Sequence, residues 1–103
     1  MNGALAHARL DHASPKVGST VAPAPREVVL SFTEKVEPAF SAIEVRNAQG
    51  TAVDAGKATV SGDGMQLRIA LKTLPPGTYK VIWRVLSVDT HRTQGDFSFH
   101  VGP

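Results

Sequence analysis

Along most of the chain, apolar residues recur at every second position, and a strand places such residues on one face. Met65, Leu67, Ile69 and Leu71 alternate with Gln66, Arg68, Ala70 and Lys72, which predicts a half-buried strand. Tyr79, Val81, Trp83 and Val85 share one face of the next. Its other face holds Lys80, Ile82, Arg84 and Leu86, too apolar to be fully solvated. Phe97, Phe99 and Val101 alternate with Asp96, Ser98 and His100 in a last strand, while Val28, Leu30 and Phe32 mark an early one and Ile43 and Val45 another. Nowhere does a period of 3.6 run for ten uninterrupted residues, so no long helix is expected.

Turn chemistry separates these runs at Asn47 to Gly50, Ser61 to Gly64 and Pro75-Pro76-Gly77. The spacing predicts an all-β fold, a Greek-key sandwich or barrel of about seven strands. Ala13 to Pro25, with Pro15, Gly18, Pro23 and Pro25, reads as an extended, irregular connection. The predicted core is Leu10, Val28, Leu30, Phe32, Ile43, Val45, Leu67, Ile69, Tyr79, Val81, Trp83, Val85, Phe97 and Phe99.

With 103 residues, one domain fills the chain. A content of 42% hydrophobic and 19% charged residues is that of a folded globular protein. The net charge is +2 and no two of the eleven Lys and Arg are adjacent, which gives no basic patch for nucleic acid. Nothing approaches the roughly 18 apolar residues of a membrane span. The absence of cysteine removes disulfides, thiolate metal sites and thiol nucleophiles together. Neither a G-x-S-x-G turn nor a glycine-rich phosphate loop is present. Residues 1–6 end in Ala4-Leu5-Ala6, the small-x-small pattern that precedes a signal-peptidase cut. They read as the stub of an export signal or as an arbitrary leader, ahead of a domain spanning 7–103.

The chemistry that remains is imidazole and carboxylate. Asp89-Thr90-His91 follows the Trp83 strand, and in extended chain its two outer residues point to one side. Such a pair suits Cu(II), Zn(II) or Ni(II), with Cu(II) the tightest. An aspartate of a turn beside a solvated histidine has the same spelling, so the spacing leaves both readings open. If His7 begins the mature chain, its α-amine and imidazole add two nitrogens, and with Asp89 and His91 the set becomes three nitrogens and one oxygen, tetragonal and suited to Cu(II). His12 reads as a surface histidine that could supplement His7, and His100 as solvated.

These residues resemble a known family. His7-Ala8-Arg9-Leu10, Pro15 and Val28 to Glu34 resemble the opening of mature CopC-type copper resistance proteins. Gly77 to Val85, Ser87, Asp89-Thr90-His91 and Gly95 to Phe99 resemble their C-terminal half. The resemblance runs from His7 to Val101. It implies a periplasmic, cupredoxin-like or immunoglobulin-like sandwich, monomeric, that carries or buffers copper without catalysis. It implies one Cu(II) per chain, held by His7, Asp89 and His91, with Glu34 where relatives have a carboxylate near the ion. A CopD-type inner-membrane protein is the implied associate. Two departures stand out. The stretch from Asn47 to Met65 has one methionine and no histidine, so no separate Cu(I) site is expected, and Arg92 stands where the family often has proline. A histidine-brace copper enzyme and a metal-free immunoglobulin-like interaction module are the competing readings.

Overall fold

The computed structural model describes residues 8–103, so the leader 1–6 and His7 lie outside the described residues. Eight strands follow one another: β1 (Leu10–Ser14), β2 (Thr20–Val21), β3 (Glu27–Phe32), β4 (Ala42–Asn47), β5 (Asp54–Val60), β6 (Gln66–Leu71), β7 (Gly77–Leu86) and β8 (Arg92–Val101). The one helical element among the described residues is a 3₁₀ turn, Pro38–Phe40. Four strands form one sheet in the order β1-β3-β6-β5 and four form the other in the order β2-β8-β7-β4. Apart from the β5–β6 and β7–β8 hairpins, every connection between these strands passes from one sheet to the other, in the Greek-key manner. Every pairing is antiparallel except that of β2 with β8.

The period-two rows predicted from sequence close on one another as the core. Val28, Leu30 and Phe32 of β3 and Leu67 and Ile69 of β6 are buried. From the other sheet come Ile43 and Val45, the row Tyr79, Val81, Trp83 and Val85, and Phe97 with Phe99. Phe32 meets Trp83 edge to face at 5.2 Å between centroids, and Tyr79 stacks on Phe99 at 5.5 Å. The Tyr79 hydroxyl, at the core margin, donates to the Pro75 carbonyl.

Two expectations need correcting, and one strand was not marked. Leu10 is only half buried, because β1 is an edge strand whose register slips between Leu10 and His12. Ala8, Val36, Leu74 and Val101 are buried instead. The connection from Ala13 to Pro25 is less irregular than its prolines imply, since Thr20–Val21 lies parallel to His100 and Val101. β5 went unmarked in the sequence, in the stretch between the turn signals at Asn47 to Gly50 and Ser61 to Gly64. It is an edge strand with no buried residue, broken in register between Ala55 and Thr59, so no apolar alternation marks it.

Gly95 pairs with Trp83 across the β7–β8 hairpin. A Cβ there would lie 2.7 Å from the indole Cζ2 and 3.0 Å from Cε2. The ring is packed and cannot yield cheaply. Gly95→Ala is expected to cost about 1–3 kcal/mol by overpacking, read from the midpoint of chemical denaturation. An unchanged midpoint would mean that the indole shifts freely.

Candidate metal centre

At one end of the sandwich β7 runs out at Leu86 and β8 begins at Arg92, its register partner. The five residues between, Ser87 to His91, close on themselves. The Ser87 N–H donates to the His91 carbonyl at 2.9 Å and the Thr90 N–H to the Ser87 carbonyl at 2.9 Å. Thr90 takes up the reversal at φ +74°, left-handed backbone that a β-branched residue seldom adopts. The turn therefore brings Asp89 and His91 to one side. His91 Nδ1 lies 3.3 Å from Asp89 Oδ1, with both side chains well exposed at 50% and 37%.

That separation suits a shared ion. Two donors about 2.1 Å from a metal and 3.3 Å apart subtend roughly 100° at it, between square-planar and tetrahedral values. Asp89 Oδ1 also accepts a hydrogen bond from the Ser87 hydroxyl. This bond, with help from His91, holds the Asp89 carboxyl below the ordinary carboxylate range against the opposing effect of desolvation. The sign is that of a depressed acid: the contribution to folding is in place above the unfolded value and fades as pH falls through the lowered native one. At neutral pH the group is an anion, ready to ligate.

The start of the described chain approaches this end from two directions. The Thr93 hydroxyl, two residues past His91, donates to the Ala8 carbonyl at 2.7 Å. Arg9 N–H donates to Thr33 Oγ1 at 3.0 Å, and Thr33 N–H donates back to the Arg9 carbonyl at 3.0 Å. Ala8 is wholly buried, one peptide bond from His7.

The other candidates stand apart. Glu34 is half buried in the bend after β3, beside Lys35, whose carbonyl accepts the Val88 N–H at 3.0 Å. Among the described residues no three His, Asp or Glu gather as one metal site, so Glu34 does not join Asp89 and His91. His12 is exposed on β1 with Nδ1 2.8 Å from Asp11 Oδ2. His100 is half buried and shares a 3.0 Å hydrogen bond with Thr78 Oγ1. Ser87, named in the sequence only as part of a resemblance, is 1% exposed. Its signal was its place in the period-two row: Tyr79, Val81, Trp83 and Val85 point inward, and the next inward position is a serine.

A family profile described as the CopC domain matches residues 10–102. The chain belongs to the CopC family. The copper resistance protein C of Xanthomonas campestris pv. juglandis is 40% identical to it, over 95% of this chain and 82% of that protein. Among solved structures, CopC from Methylosinus trichosporium OB3b superposes with a TM-score of 0.88 at 37% identity, covering 94% of this chain and 95% of that one. PcoC, a methionine-rich copper resistance protein from Escherichia coli, superposes at 0.82 and 33% identity, covering 93% of this chain and 99% of its own. This CopC domain is thus a copper protein by family and a β-sandwich by fold. Among its described residues no helix is long and apolar enough to cross a membrane.

Proposed function

We propose that this CopC domain is a periplasmic Cu(II) carrier or buffer that binds one ion through His7, Asp89 and His91 and performs no catalysis. The observation that carries the reading is the exposed Asp89–His91 pair, 3.3 Å apart at the end of the sandwich where the segment after His7 is tied down. The α-amine and imidazole of His7 supply the remaining nitrogens once that residue is the first of the chain. An anionic oxygen with three nitrogens favours the oxidised ion, which supports storage and delivery over turnover. Methionine-poor composition supports the same choice. The chain has two methionines, and the one in its described part, Met65, stands without a thioether neighbour in sequence, so a separate Cu(I) site is not part of the reading. A CopD-type inner-membrane protein is the recipient that the family resemblance implies.

The test is a Cu(II) titration of protein starting at His7, followed by Trp83 fluorescence and electron spin resonance. The expected result is a one-to-one end point with a tetragonal nitrogen–oxygen signal. His91→Ala is expected to lower the affinity by about a hundredfold or more, since loss of an outer partner alone costs 10–100-fold at metal sites. Binding indifferent to His91 would refute the assignment.

A further inference from the structure

The geometry assigns to Ser87 the role of positioning residue for the copper pair, a role that rests on the proposed Cu(II) site at Asp89 and His91. Leaving aside the aromatic Tyr79 and Trp83, Ser87 is the one buried side chain with a polar group among the described residues, at 1% exposure. It occupies an inward position that continues the row Trp83 and Val85, where an apolar residue would pack with no polar group to satisfy. A hydroxyl at such a position persists where it has partners. It has them, and both belong to the candidate ligands.

The hydroxyl oxygen lies 3.2 Å from the His91 N–H, from which it accepts. Its single proton faces two acceptors, Asp89 Oδ1 and the His91 carbonyl at 3.2 Å. The carbonyl is already served by the Ser87 N–H, and a bond to a carboxylate is the stronger, so the proton goes to Asp89. One buried atom therefore ties the Asp89 carboxylate to the His91 backbone. Apart from its contact with His91, the Asp89 side chain is exposed to water, and the backbone between the two residues bends through the left-handed Thr90. Without the hydroxyl, the loop keeps its backbone closure from Ser87 N to the His91 carbonyl, but the carboxylate loses the stronger of the contacts that fix its direction and keeps only those to His91. Ser87 thus acts through Asp89, by preorganising a ligand before the ion arrives.

The experiment compares Ser87→Ala, Ser87→Thr and Ser87→Val in protein starting at His7, at a temperature where each is folded by circular dichroism. Ser87→Ala is expected to weaken Cu(II) binding by about 10–100-fold and to alter the copper spin-resonance spectrum. Ser87→Thr is expected to keep both within a few-fold of the parent. Loss of packing alone would lower the melting midpoint and leave the spectrum as it was. Should Ser87→Ala not fold, the Thr and Val variants decide, since they match in shape and differ in the hydroxyl. Equal affinity and spectra for those two, or an unchanged Ser87→Ala, overturns the assignment. His91→Ala separates the levels. If it leaves binding intact, the metal-site reading itself fails. If it abolishes binding while Ser87→Ala changes nothing, only the role of Ser87 falls.

Discussion

Protein trimmed to begin at His7 is expected to bind Cu(II) at least a hundredfold more tightly than protein that keeps Met1 to Ala6. The reason is covalent. In the longer chain the His7 nitrogen is an amide, planar and without a basic lone pair, so the five-residue turn supplies one imidazole and one carboxylate. In the trimmed chain the same nitrogen is an amine of ordinary pKa about 8, whose proton a metal displaces at neutral pH. Two nitrogens from one residue then bind as a chelate. The hydrogen bonds from Thr93 to Ala8 and between Arg9 and Thr33 have already fixed the segment beside His7, so little chain entropy is lost when it ligates. Competition titration against a copper chelator measures the ratio. Equal affinities for the two forms would remove the α-amine from the ligand set, and with it the reason to assign His7.

Phe32→Ala is expected to cost about 3–5 kcal/mol, the range for deleting a buried aromatic. Phe32 is 2% exposed and lies edge to face against Trp83, so its loss opens a cavity between the sheets and removes an aromatic pair. A domain of this size has about 5–15 kcal/mol in total, which makes this a large fraction. The thermal midpoint should fall by about 20 °C, at ~4–8 °C per kcal/mol. Phe32 also closes β3, with its N–H on the Met65 carbonyl at 2.8 Å, and the bend that follows runs against the turn from Ser87 to His91, where the Val88 N–H meets the Lys35 carbonyl. The variant should therefore loosen the site as well. A midpoint within about 5 °C of the parent would show that neighbouring side chains collapse into the space.

The fold was legible wherever a strand is buried on one face. The rows in β3, β6, β7 and β8 alternate because one side meets the opposite sheet, and that alternation is what periodicity detects. It fails for β5, which buries nothing fully, and for Thr20–Val21, whose two residues hold a parallel pairing too short to leave a pattern. Leu10 was misplaced because a register slip in an edge strand cannot be seen in a list of side chains. The site was half legible. Asp89 and His91 fall two apart, and a strand's period brings such residues together. Here they sit in a turn with a left-handed Thr90, so the convergence is real but its cause differs. Ser87 went unassigned because a serine near a turn is common, although its place in the inward row after Val85 marked it, and burial distinguishes it.

The bond from Thr93 to the Ala8 carbonyl joins residues 85 apart in the chain. An ion shared by His7 and the Asp89–His91 turn would tie together almost the same two points by coordination. For a chain with no cysteine, copper would then be its one cross-link, threading the first residues of the domain to its last hairpin. A loop of that length, closed in the unfolded state, restricts the denatured ensemble by about 4–5 kcal/mol on the chain-entropy model for cross-links. Cargo and staple would be the same atom, and handing the copper on would return the domain to its looser, unlaced state.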